Sequence, residues 1–195
     1  VYQVLLGEAG VQEATSRSEA GQYDVLAANR ALAGAEIELV QEIAREMRLK
    51  NALADVLDDY DFILLDCPPT LTLLTLNGLV AAEGVLVPMV CEYYALEGIS
   101  DLVATVRKIR QAINPRLDII GIVRTLYNSQ SRLSQEVSEQ LQSHFGRQLF
   151  TTTIPRNVRL AEAPSHGLPA LAYDAKAKGT LAYLALADEL LARMA

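Results

Sequence analysis

The chain has 195 residues, 51% of them hydrophobic and 21% charged, with a formal net charge of −7. This composition excludes a disordered chain and suffices for one substantial core. The negative balance excludes a uniformly basic nucleic-acid binder and leaves only a local basic patch for that role. The longest apolar run, residues 79–89, is broken by Glu83 and Gly84, well short of the ~20 apolar residues of a membrane-spanning helix. No basic start followed by an apolar stretch opens the sequence, so no signal peptide is expected. Cys67 and Cys91 lack metal-site spacing, which predicts two reduced, buried residues in a cytoplasmic protein.

Taken in chain order, residues 23–28 form the first expected strand. Residues 39–57 have helical periodicity, with Leu39, Ile43, Met47, Leu53, Val56 and Leu57 on one face and Glu42, Arg45, Glu46 and Arg48 on the other. A strand is expected over 62–65, a helix over 71–82, a strand over 85–90 and a helix over 96–113, which Asn114-Pro115 stops. Next come a strand over 118–125 and a helix over 131–145. That helix has an apolar stripe of Leu133, Val137 and Leu141 and Gly146 as its C-cap. Residues 149–154 make the last strand. Three prolines and Gly167 make 155–174 an ordered loop with a helical turn at 158–162, and 178–194 ends the chain as a helix. Apolar runs alternating with helical segments predict an α/β fold with a mostly parallel sheet. No repeat or linker interrupts the chain, so one domain over 1–195 is expected.

Within this frame, the segment Tyr60-Asp61-Phe62-Ile63-Leu64-Leu65-Asp66 delivers one carboxylate to the C-terminal end of a strand, where open parallel sheets place their ligand sites. A hard cation such as Mg²⁺ prefers such an oxygen ligand, although an aspartate can also simply end a strand. The following Cys67-Pro68-Pro69 fixes the backbone and would aim Asp66. His144 and His166 have no partner cluster and are read as structural. The sequence lacks Gly-x-Ser-x-Gly, His-Glu-x-x-His and Gly-x-Gly-x-x-Gly patterns, which removes the commonest hydrolase, zinc-protease and dinucleotide readings. None of the four lysines, Lys50, Lys108, Lys176 and Lys178, follows a glycine, so no phosphate-binding Gly-Lys-Ser/Thr loop occurs in these residues.

Four segments carry a family resemblance. YDFILLDCPP at 60–69 resembles the Walker B and switch II segment of ParA/Soj partitioning ATPases. LTLLTLNGLVAAEGVLVPMVCEYYALEGI at 71–99 is similar to the helix of that family that follows and to the strand-loop-helix unit after it. LAANRALAGAEIEL at 26–39 resembles the stretch before the helix that precedes Walker B. IPRNVRLAEAPSHG at 154–167 is similar to the loop that encloses the adenine base.

The resemblance implies a three-layer, P-loop NTPase-like fold and an ATPase for chromosome or plasmid segregation. It implies ATP and Mg²⁺ as cofactors, with Asp66 organising Mg²⁺ through a water and Pro155 and Asn157 holding adenine. It also implies a homodimer that binds DNA non-specifically in the cytoplasm at the nucleoid, a ParB-type partner that stimulates hydrolysis, and no membrane association. Arg147, Arg156, Arg159, Lys176 and Lys178 become the DNA-contact candidates. Because family members carry the P-loop in a unit preceding the region seen here, the expectation is an N-terminally incomplete ATPase domain that is inactive alone. The alternative is a catalytically dead DNA- or partner-binding module of the same fold. Two other members of the superfamily fit less well. A MinD-like membrane helix needs a basic amphipathic C-terminus, whereas Asp188 and Glu189 here face a single Arg193. An iron–sulfur reductase would use Cys67, and a colourless protein would dismiss it.

Overall fold

The computed structural model describes residues 1–93 and 95–194, leaving aside the side chains of 95–97. Tyr94, inside the second family-like segment, and Ala195 lie outside the described residues. Two compact units divide the chain, one formed by 1–84 with 106–118 and the other by 85–105 with 119–195.

The first unit opens with α1 (Tyr2–Leu6) and α2 (Val11–Ala14). An antiparallel hairpin follows, of β1 (Ser16–Ser18) and β2 (Tyr23–Val25), with Arg17 opposite Asp24. The strand expected over 23–28 therefore ends at Val25. Leu26 leaves the hairpin and packs with Val4, Val11, Leu53 and Val56. Next come α3 (Leu32–Leu39), a 3-10 turn at Arg45–Met47, α4 (Arg48–Leu53) and a 3-10 segment at Ala54–Asp59.

The single helix expected over 39–57 is thus broken, and two side-chain clusters explain the break. Leu39 belongs with Leu5 and Ala35, whereas Leu53 and Val56 belong with Val4 and Val11. To serve both clusters the backbone turns at Ala44, which has a φ of 52° in the left-handed region. The buried Asn77 of α5 (Leu73–Ala81) holds the turn. Its amide donates to the carbonyls of Arg45 and Leu73, both at 2.9 Å, and its oxygen accepts the N–H of Leu49 at 3.1 Å. Ile43, assigned to the apolar face by its spacing, is left 91% exposed at the break.

Residues 62–65 are also not the strand expected. A strand exists through the ladder it shares with a neighbour, and no strand among the described residues pairs with them. Phe62, Ile63 and Leu64 are exposed, Leu64 at 87%.

The second unit is built on a sheet in the order β3-β4-β5, made of β3 (Gly84–Val90), β4 (Asp118–Tyr127) and β5 (Leu149–Pro155). Strands β4 and β5 run parallel. Helix α6 (Ala95–Ala112) crosses from β3 to β4, and α7 (Arg132–Phe145) crosses from β4 to β5. Alternation along each strand then separates the layers. Ile122 and Leu149 pack with Ile99, Val137 and Leu141 of α6 and α7. Their chain neighbours Val123 and Phe150 pack with Leu186 of α10 (Lys178–Met194) on the other side. This is the expected three-layer α/β arrangement with a parallel sheet.

Between β5 and α10 lie α8 (Val158–Glu162), a 3-10 turn at Ala163–His166 and α9 (Ala170–Tyr173). The ends of the helices follow local signals. Ser131 caps α7 by accepting the N–H of Ser134, and Thr72 caps α5 by accepting that of Thr75. Asn114, read only as a helix stop, is buried and donates to the carbonyls of Leu79 and Ala82, satisfying the C-terminal end of α5.

Candidate functional site

The first group of site residues stands on the turn at 66–69. Asp66 is exposed, and its carboxylate makes no hydrogen bond or ion pair among the described residues. Helix α5 supports the turn: a Cβ on Gly78 would stand 2.9 Å from Cys67 Sγ, so a larger residue there would make the Cys67 side chain move. Cys67 is exposed and Cys91 is buried, which corrects the expectation of two buried thiols. Partial desolvation and then the charge of Asp66 push the Cys67 thiol up from its ordinary value. Cys67 therefore ionises less readily than a free thiol. Among the described residues no three His, Cys, Asp or Glu side chains gather into a metal cage. A lone carboxylate is nevertheless what Mg²⁺ uses when waters and phosphates complete its shell, so Asp66 fits that role.

The second group stands where β5 ends. Pro155 is half-buried and lies beside Tyr127 of β4. Asn157 caps α8, its oxygen accepting the N–H of Arg159 at 3.0 Å. This engages the acceptor half of the side chain and leaves the amide N–H groups without a partner among the described residues. The start of α10 lies against the same corner. A Cβ on Gly179 would meet Leu160 Cδ1 at 2.5 Å and Asn157 Cβ at 3.0 Å. Replacing Gly179 by valine should therefore push α8 outward and cost about 2 kcal/mol by overpacking. A thermal melt of the variant no lower than that of the wild type would contradict this.

The basic candidates divide by their surroundings. Arg159 is engaged by Glu162 at 2.8 Å and Asp174 at 3.6 Å, and Tyr173 also donates to Glu162 at 3.2 Å. His166 stacks on Tyr173, with ring centroids 4.9 Å apart. This network braces the turns after α8. Arg156, Lys176 and Lys178 are exposed and have no ion pair among the described residues. Arg147 is exposed at the opposite end of β5, in the 3-10 turn Gly146–Gln148.

Three residues not named as site candidates from the sequence shape strand β5. Arg124 of β4 donates to the carbonyls of Phe150 and Thr151 and to Ser138 of α7. Glu189 of α10 accepts the N–H groups of Thr151 and Thr152, both at 2.8 Å. Arg193 binds Glu189 at 2.7 Å, stacks 3.8 Å over the Phe150 ring, and donates to the carbonyls of Arg147 and Leu149. The available signals were an arginine inside an apolar strand and an i,i+4 Glu-Arg pair on the final helix. Glu189 and Arg193, weighed in the sequence as polar residues of a possible membrane helix, are spent on the edge of β5. No helix among the described residues is long and apolar enough to cross a membrane.

Comparison with known proteins supplies the family. The AAA_31 family, described as an AAA domain, matches residues 1–119. A Pseudomonas putida protein encoded in the gidB 3′ region is 55% identical over 99% of this chain and 73% of its own length. The chromosome-partitioning ATPase Soj of Treponema pallidum is 47% identical over 99% of this chain and 76% of its own. The chromosome partitioning protein ParA of Caulobacter vibrioides is 45% identical over 99% and 73%. Among solved structures, cobyrinic acid a,c-diamide synthase of Mycobacterium smegmatis superposes with a TM-score of 0.82, at 36% identity over 97% of this chain and 70% of that one. A second crystal of that enzyme, with a bound ATP analogue and magnesium, matches at a TM-score of 0.75 and 37% identity over 88% and 67%. With a parallel sheet layered between helices and such identity along nearly all of its length, the chain belongs to the ParA/Soj family of chromosome-partitioning ATPases.

Proposed function

We propose that the protein segregates chromosomal or plasmid DNA by binding ATP with Mg²⁺ and holding DNA non-specifically as a homodimer, with a ParB-type partner raising its turnover. It would work in the cytoplasm at the nucleoid. The identity with Soj and ParA proteins over 99% of the chain carries this reading. In it, 1–195 forms the larger part of one ATPase domain, and Asp66 orients Mg²⁺ through a water. Pro155 offers a flat apolar wall to the base, while the unpaired amide of Asn157 donates to its edge. ATP supplies the phosphoryl group whose transfer to water drives the cycle.

For DNA, Arg156, Lys176 and Lys178 are the strongest contacts, because exposed cations without internal partners can release counterions from phosphates. Arg147 extends the track along β5, and Arg159 contributes less because Glu162 and Asp174 already neutralise it. Replacing Lys176 and Lys178 by alanine should weaken DNA binding equally for all sequences and flatten the slope of log K against log salt by about two. The reading as a whole is tested by ATP hydrolysis of the complete gene product, alone, with DNA, with the partner, and with both. The mixture of both should be fastest, and four equal rates would remove the reading.

A further inference from the structure

Strand β5 takes an irregular path to Pro155. Ile122 is opposite Leu149, but Arg124 is already opposite Thr153, so four residues of β5 advance against two of β4. Such a bulge leaves peptide groups without ladder partners, and two side chains take them from opposite sides. Arg124 Nη2 donates to the carbonyls of Phe150 at 2.8 Å and Thr151 at 3.0 Å. The two oxygens of Glu189 accept the N–H groups of Thr151 and Thr152.

Each clamp is itself held. Ser138 accepts from Arg124 Nη1 at 2.7 Å, and Arg193 binds Glu189. Among the described residues Arg124 has no carboxylate partner, and its Nε is buried without a hydrogen bond. Its polar contacts among the described residues are this grip and Ser138, together with a Tyr127 ring 5.6 Å from its guanidinium carbon. A second shift of opposite sense follows: Tyr127 is opposite Pro155, so three residues of β4 advance against two of β5, with Leu126 at a φ of 49°. Between Ile122 and Tyr127, β5 is left one residue longer than β4.

We infer that Arg124 and Glu189 are positioning residues for the Pro155–Asn157 corner. By gripping the bulge of β5 from both sides they set where the corner stands, and with it the affinity and selectivity for the base of a nucleotide. The inference rests on the reading of that corner as the base site.

The test uses the complete gene product and its variants Arg124→Lys, Glu189→Gln and Asn157→Asp. KM and kcat are measured with ATP and with GTP at a temperature where melting curves show each variant folded. Arg124→Lys keeps the charge but loses the two-pronged grip, and should raise KM for ATP about tenfold, lower the preference for ATP over GTP, and leave kcat nearly unchanged. Glu189→Gln should do the same. Asn157→Asp keeps the cap of α8 but removes the amide donor, and serves as the direct-contact control.

If Asn157→Asp raises KM while the other two variants only lower the melting temperature, the inference is overturned and the base site stands. If Asn157→Asp changes neither KM nor selectivity, the base site falls and the inference with it. Should Arg124→Lys fail to fold, Ser138→Ala, which frees one anchor of the same guanidinium, must raise KM in the same direction by a smaller factor. No rise there also overturns the inference.

Discussion

Asparagine in place of Asp66 is expected to lower ATP turnover of the complete gene product by about two orders of magnitude, since in the proposed role its charge organises Mg²⁺ and a neutral amide cannot replace it. The same substitution should leave the melting temperature nearly unchanged. Asp66 is exposed and accepts no hydrogen bond among the described residues, so folding does not depend on its charge. What the fold does supply is the turn: Pro68 and Pro69 restrict the backbone, and Gly78 lets α5 close on Cys67. Function and stability therefore separate at this position. Steady-state hydrolysis with a magnesium titration, beside a thermal melt, reads both. Wild-type turnover at saturating magnesium would exclude Asp66 from the nucleotide site.

Glu189 behaves in the opposite way, with its largest effect on stability. Burial alone would raise its carboxyl. The backbone N–H groups of Thr152 and Thr151, the Thr152 side chain and Arg193 outweigh that and hold it at about 2, against an ordinary value of 4.5. A folded-state value below the unfolded one contributes stability that is complete above pH 4.5 and is lost as pH falls toward 2. The carboxylate is 20% exposed, and after allowance for solvent screening its contribution is on the order of 2 kcal/mol. Glu189→Ala should lose more, about 3 kcal/mol at pH 7, because it leaves two strand N–H groups and the Arg193 guanidinium without their acceptor. Urea melts of wild type and variant at pH 7, 4.5 and 3 should show the gap at the first two values and its narrowing at the third. A gap independent of pH would contradict the assignment. The open edge of β5 would also become available to another chain, so concentration-dependent association of the variant is part of the same expectation.

Elements whose signals lie within their own residues were legible in the sequence. Helix α10 spans the expected 178–194, β3, β4, β5, α5, α6 and α7 fall within two residues of their expected ends, and the helical turn at 158–162 is α8. Periodicity, Ser131 and Gly146 for α7, and Asn114-Pro115 for α6 are short-range features, and short-range physics reads them. The family could likewise be seen in contiguous strings such as YDFILLDCPP and IPRNVRLAEAPSHG, which also pointed to Asp66, Pro155 and Asn157.

Only the tertiary structure decided the rest. The break at Ala44 depends on Asn77, whose bonds reach back 28 residues to Leu49 and 32 to Arg45. Residues 62–65 had the composition of a strand, but a strand also needs a neighbour, and its own sequence does not contain one. The grip on β5 joins Arg124 to carbonyls 26 and 27 residues away and Glu189 to N–H groups 38 and 37 residues away. Apolar patterning sets which face of an element is buried. Which peptide groups remain unpaired, and which distant side chain is free to take them, is settled only when the elements have packed.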